Sequence, residues 1–138
     1  MRKRIYTAFT AALIAGCAAP WAKPTALAFT SGTTLIARAK VFQSVHCGHL
    51  CHPTGGSDIV ITMEGRFAEG SYRLFLAQGS CDQPHNTQAI TEFDGKAGAR
   101  AHVNVPIAPL TGGDYVLTIE RDEPHLMACT VVKSTLSS

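Results

Sequence analysis

The fold is decided by the segment at residues 70–81, whose sequence is GSYRLFLAQGSC. Its apolar residues recur at every second position, which is the pattern of a β-strand with one buried face. These residues are Tyr72, Leu74 and Leu76. A Gly-Ser turn then leads to Cys81, and a second cysteine-bearing strand, LMACTVV, lies near the end of the chain at residues 126–132. The pattern predicts strands joined by turns, with cysteines available for disulfide bonds.

Comparable alternation occurs on both sides of this segment. It covers residues 35–45, 59–64, 99–105 and 115–120, and turns rich in Gly, Pro and Asp separate the runs. Six or seven short strands without a helical period are typical of an antiparallel sandwich or barrel. The predicted fold class is therefore all-β, a small antiparallel β-sandwich of the Greek-key kind. Residues 46–56 are expected to be a loop, and the chain from residue 82 to about residue 98 an irregular segment.

The first 17 residues have the pattern of a secretory signal. Three basic residues at positions 2–4 precede an apolar run, Ile5–Ala15, that is too short to cross a bilayer. The run ends in Ile-Ala-Gly-Cys17, which resembles the lipobox of bacterial lipoproteins. The resemblance implies that Cys17 is acylated, for example with palmitate, and becomes the mature N-terminus; ordinary cleavage nearby is the alternative.

The domain boundaries follow from composition. Residues 18–32 contain two prolines and five alanines with no clean period, which predicts a flexible tether. Residues 33–138 then form the sandwich domain. By resemblance to lipoproteins of Gram-negative bacteria, the absence of Asp at position 18 favours the outer membrane. We therefore expect a lipid-anchored protein of the cell envelope that faces the periplasm.

The charge of the mature chain argues against one class of partner. The precursor has 12 Lys and Arg against 10 Asp and Glu, and removal of the three basic residues at positions 2–4 leaves nine, a net charge near −1. The aromatic residues are not interleaved with Lys or Arg, and no basic stripe remains. Nucleic-acid binding is therefore not expected.

The cysteine content agrees with export. With Cys17 assigned to lipid, Cys47, Cys51, Cys81 and Cys129 remain. An even number of cysteines in a small exported domain favours disulfide bonds. Four cysteines allow three connectivities, and the residues alone do not choose among them.

The segment at residues 70–81, taken together with Ala128-Cys129, resembles the copper–zinc superoxide dismutase fold. In that family a glycine-rich turn enters a metal-bearing strand that ends in Gly-Ser-Cys or a close variant, and this cysteine bonds to an Ala-Cys-Gly segment in the last strand. The resemblance implies a Cys81–Cys129 disulfide. Here Thr130 stands where the family has glycine.

The same resemblance implies that the enzymatic activity is absent. The strand that carries two copper-ligand histidines in the family shows Arg73, Phe75 and Ala77 on the corresponding face, and none of these side chains can bind copper. The later strand at residues 116–120 also lacks a histidine. We therefore expect no catalytic residues and no enzyme.

One cluster of chemically active side chains remains, at residues 46–52. It contains the candidate metal ligands His46, Cys47, His49, Cys51 and His52. Imidazole and thiolate suit zinc or copper, so copper or zinc is a possible cofactor. The alternative is a Cys47–Cys51 disulfide that closes a small loop with exposed histidines. A mixed arrangement, with the disulfide formed and the histidines alone binding the ion, is also open.

The sequence thus predicts a non-catalytic envelope lipoprotein that acts as a binding module. Its membrane contact is the lipid at Cys17, and loops at one end of the sandwich are expected to meet an envelope protein. The alternative function is metal handling through the loop that begins at His46.

Overall fold

Residues 23–133 are described by the structure, a computed structural model, and they confirm a small all-β sandwich. The described strands are β1 (Thr25–Ser31), β2 (Thr34–Cys47), β3 (Cys51–Met63), β4 (Ser71–Gly79), β5 (Pro84–Asp94), β6 (Ala99–Val103), β7 (Gly112–Arg121) and β8 (Leu126–Lys133). A 3₁₀ turn lies at Gly65–Phe67, and a four-residue helix, α1, lies at Ile107–Leu110. The predicted Cys17 anchor and signal peptide lie outside the described residues.

The strands form two antiparallel sheets. The first sheet has the order β1-β2-β3-β6, and the second has the order β5-β4-β7-β8. After β5 and β6 the chain returns to place β7 beside β4, which is a Greek-key connection. This connectivity brings strands that are distant in the sequence into one core.

The core lies between the two sheets and follows the period-two pattern. Tyr72, Leu74 and Leu76 of β4 are at most 3% exposed, as the alternation predicts. They pack against buried apolar side chains of both sheets, which include Phe29, Ile36, Ile59, Ile61, Leu117 and Ile119. Full burial of one such side chain contributes roughly 1.5–3 kcal/mol. The core therefore supplies most of the force that holds the sheets together.

The predicted tether at residues 18–32 is wrong where the structure describes it, because residues 25–31 form β1. This strand pairs with β2 along its whole length, from Thr25 opposite Val41 to Ser31 opposite Thr34. Leu27 and Phe29 point into the core, while the alternate alanines are exposed. Alanine at the outward positions removed the polar half of the pattern, so the period was not visible in the sequence.

The irregular segment expected after Cys81 is also wrong over most of its length. Residues 84–94 form β5, an edge strand that pairs with β4. The first six residues of β5 are exposed, so this half has no buried face and no apolar alternation. Together with β1, this strand raises the number of described strands to eight, above the predicted six or seven.

Different segments of the chain lie at the two ends of the sandwich. At the end that we call the hairpin end, β2 passes into β3, and the described chain also begins and finishes there. Thr25, at the start of β1, lies opposite Val41, and Lys133, at the end of β8, lies opposite Gly112. At the opposite end lie the connections at residues 64–70, 95–98 and 122–125.

Candidate functional site

The predicted loop at residues 46–56 is wrong, because this segment is the far part of a β-hairpin. Strand β2 is paired with β1 only as far as Val41, and β3 is paired with β6 only from Ser57 onward. Beyond these points β2 and β3 pair with each other alone, up to Cys47 opposite Cys51. We call residues 44–56 the hairpin extension.

Hydrogen bonds fix the base of the hairpin extension. The Gln43 side-chain amide donates to the Gly56 carbonyl at 3.2 Å, and the Thr54 hydroxyl donates to the Ser44 carbonyl at 3.4 Å. Gly56 has no room for a side chain, because a Cβ there would lie 2.6 Å from the Val103 carbonyl oxygen. The strands therefore leave the sheet in a defined direction, although a register irregularity interrupts their pairing between residues 43 and 45.

A disulfide closes the tip of the hairpin extension. Cys47 and Cys51 are bonded, with their Cα atoms 4.0 Å apart, and a three-residue turn joins them. Within this turn the Gly48 amide donates to the Leu50 carbonyl at 3.1 Å. Leu50 is 79% exposed, the most exposed of the large apolar side chains described. The tip is thus a covalently closed turn that presents an apolar side chain to solvent.

The predicted metal ligands are brought to this tip, but not as one set. The two sulfur atoms are joined in the disulfide, so neither is a thiolate. His46 and His52 lie directly opposite each other, with ring centroids 5.6 Å apart and ring planes at 68°. His49 lies in the turn. Across residues 23–133 there is no group of three or more His, Cys, Asp and Glu placed to hold a metal ion.

The second disulfide lies in the other sheet. Cys81 follows β4 and is bonded to Cys129 in β8, with Cα atoms 5.9 Å apart, so the pairing implied by the resemblance is confirmed. The bond borders a shallow groove of about 270 Å³ on the second sheet. Phe75 and Ala77 line this groove together with Met127. The groove is mostly apolar.

Charged side chains cluster at the opposite end of the sandwich. The Arg73 guanidinium contacts Asp122 at 2.7 Å and Glu120 at 2.9 Å. Hydrogen bonds from Arg73, and then its positive charge, lower the pKa of the Asp122 carboxyl. Hydrogen bonds to Asp122 and then to Glu120 raise the pKa of the Arg73 guanidinium. Asp122 is exposed and Arg73 is partly exposed, so the ion pair between them is open to solvent, where such pairs contribute little to stability.

A second arginine at the opposite end contacts a buried residue of the core. Arg121 donates to the Tyr72 hydroxyl at 2.7 Å and to the Glu69 carbonyl at 3.2 Å, and its guanidinium lies over the Tyr72 ring. The Tyr72 hydroxyl in turn donates to the Phe67 carbonyl at 2.7 Å. Burial raises the pKa of this phenol, and Arg121 opposes the rise. Sequence reasoning missed this network, because the alternation marks Tyr72 only as a core residue.

The remaining histidines do not form a common site. His102 is half-exposed and contacts Asp58 at 2.9 Å on the neighbouring strand β3. His85 lies beside Gly79 at the hairpin end, while His125 lies in the β7–β8 connection at the opposite end, near Asp122. The structure therefore leaves the hairpin extension as the one place, within the described chain, where several histidines meet.

Comparison with known proteins does not extend this description. No family model, curated protein or solved structure matches the chain. The resemblance to superoxide dismutases therefore stays a prediction. No helix within residues 23–133 is long and apolar enough to cross a membrane.

Proposed function

We propose that this protein is an exported, lipid-anchored binding module without catalytic activity, and that it contacts an envelope protein through the hairpin extension. The observation that supports the proposal is the disulfide-closed tip with Leu50 exposed at 79%.

The Cys47–Cys51 bond contributes little to the fold, because it joins residues that are only four apart. Its main effect is to fix the conformation of the tip. A segment that is fixed before binding loses less conformational entropy when a partner docks, so it binds more tightly for the same contacts. Leu50 in this turn offers apolar surface that a pocket in the partner can bury. A closed tip of this kind is typical of a recognition element.

The chain length before β1 supports a position of the tip near the predicted membrane anchor. Eight peptide units separate Cys17 from Thr25, and they span at most about 29 Å when extended. The hairpin from Val41 to Cys47 extends about 20 Å from the same end of the sandwich. Its tip therefore lies within reach of the surface to which Cys17 would be attached. We infer that the partner is a protein of that same membrane.

Site-specific photocrosslinking in the native host tests the partner. With a photoreactive residue at Leu50, we expect one discrete adduct with an envelope protein. The matched control carries the same residue at Lys96, which is exposed at the opposite end, and should give no such adduct. The adduct should be lost when Cys47 and Cys51 are both changed to Ser. Absence of any adduct at Leu50, or the same adduct from both positions, would contradict the proposal.

Acyl labelling tests the anchor separately. A labelled fatty acid should enter the wild-type protein and not the Cys17→Ser variant. Equal labelling of the two proteins would refute lipidation at Cys17. The binding role would then be decided by the crosslinking result only.

A further inference from the structure

Two imidazole rings face each other on one side of the hairpin extension. His46 and His52 occupy directly opposed positions of β2 and β3, next to the disulfide-bonded pair Cys47 and Cys51. Because successive residues of a strand point to opposite faces, the two rings lie on the face away from the disulfide. Both histidines are exposed, and among the described residues each ring contacts the other rather than an acid.

The spacing of these rings suits a shared metal ion. An imidazole nitrogen binds copper or zinc at about 2.0–2.1 Å, which puts the centroids of two rings on one ion roughly 5 Å apart. The centroids of His46 and His52 are 5.6 Å apart, so a small side-chain rotation brings them to that distance. Both side chains are exposed, so such a rotation is open to them.

The neighbouring disulfide makes this pair more than a chance contact. It bonds the residues next to both histidines and so prevents the two strands from slipping past each other. A slip of one residue would move one ring to the other face and separate the pair. The disulfide also removes both sulfur atoms from the ligand set. The ligands that remain are neutral nitrogens, which suit copper(II) and zinc, and copper(II) binds more strongly than zinc at such a site.

We propose that His46 and His52 form a two-nitrogen site for copper(II), and more weakly for zinc, on the face of the hairpin opposite the Cys47–Cys51 disulfide. Since no third protein ligand from the described residues completes the set, water or an added ligand occupies the other coordination positions. This proposal goes beyond the binding role, because it requires neither the anchor nor a partner.

Copper titration of the purified full-length mature protein tests this site. With copper(II) sulfate as the probe, we expect one equivalent to bind and the electron paramagnetic resonance spectrum to show two nitrogen ligands. His46→Ala and His52→Ala should each weaken binding by about tenfold or more, because either change turns a two-point attachment into a single one. Zinc, followed by calorimetry, should bind the same site with lower affinity.

Matched controls use the histidines that lie elsewhere. His85→Ala and His125→Ala should leave copper affinity unchanged, and mass mapping should confirm that both disulfides persist in every variant. His49→Ala removes the histidine of the turn, and it should lower copper affinity less than His46→Ala does. Unchanged affinity in the His46→Ala and His52→Ala variants, equal losses in the control variants, or no copper binding by the wild type would each overturn the proposal.

Discussion

The two disulfides within residues 23–133 lie in different surroundings. Cys81–Cys129 joins residues 48 apart in the sequence and links the end of β4 to the edge strand β8 across β7. Cys47–Cys51 joins residues four apart at the end of a hairpin that has left the sheet. The first bond restrains a long stretch of the unfolded chain, whereas the second restrains only a turn. The comparison indicates that one bond stabilises the fold and the other shapes a surface.

The largest expected effect comes from removal of the long-range bond. Changing Cys81 and Cys129 to Ser should lower the free energy of unfolding by about 4 kcal/mol, because the unfolded chain regains the freedom of a loop of nearly fifty residues. Urea denaturation of the variant and the wild type, both oxidised, measures the difference. A loss below about 1 kcal/mol would mean that the bond does not support the sandwich.

The base of the hairpin extension should be more sensitive than its tip. Gly56→Ala places a Cβ 2.6 Å from the Val103 carbonyl oxygen, so it should cost about 1–3 kcal/mol through overpacking. Gly48→Ala is the matched control, because no atom lies within 4 Å of a Cβ at that position. Urea denaturation of the two variants should separate them clearly. Equal losses would show that the hairpin does not meet β6 as described.

Removal of the short-range bond should affect stability least among the disulfide changes. Changing Cys47 and Cys51 to Ser should cost about 1 kcal/mol or less, since the chain-entropy limit for so small a loop is about 2 kcal/mol and the turn is already closed by the strands. The same variant should lose several-fold in copper affinity, as the histidine pair becomes less well held. A stability loss equal to that of the Cys81 and Cys129 variant would show that the two disulfides contribute to the fold alike.

The smallest effect concerns the exposed charges at the opposite end. Because Arg73 lowers the pKa of Asp122, the ionised carboxylate favours the folded state, and this stabilisation is present above its ordinary pKa of 3.8. It is lost as the pH falls below that value through the lowered pKa. Arg73→Ala should therefore reduce the acid dependence of unfolding below about pH 4. Identical acid titrations of the two proteins, followed by circular dichroism, would exclude this pair as a contributor.

The sequence was informative where one strand face is buried and the other is polar. The strand at residues 71–79 and its inward residues, such as Leu74, follow from that alternation alone. Strand β1 was missed because alanine fills its outward positions, and the first half of β5 because both of its faces are exposed. A period-two pattern requires contrast between faces, and these strands do not provide it.

The sequence predicted which residue types the candidate site contains, but not how these residues are arranged. The cluster at residues 46–52 contains the right residue types, and both disulfides were among the pairings considered. The opposition of His46 and His52 depends on the register of a hairpin with a three-residue turn, and an exposed hairpin carries no apolar pattern that fixes its register. Register of this kind is set by the turn and by the sheet from which the strands extend.

Amide hydrogen exchange of the two disulfide variants tests most directly whether the bonds have separate roles. In the variant with Cys47 and Cys51 changed to Ser, we predict faster exchange confined to residues 44–56. In the variant with Cys81 and Cys129 changed to Ser, we predict faster exchange throughout β4, β7 and β8. Faster exchange across the sandwich in the first variant, or an unchanged hairpin extension, would contradict the account.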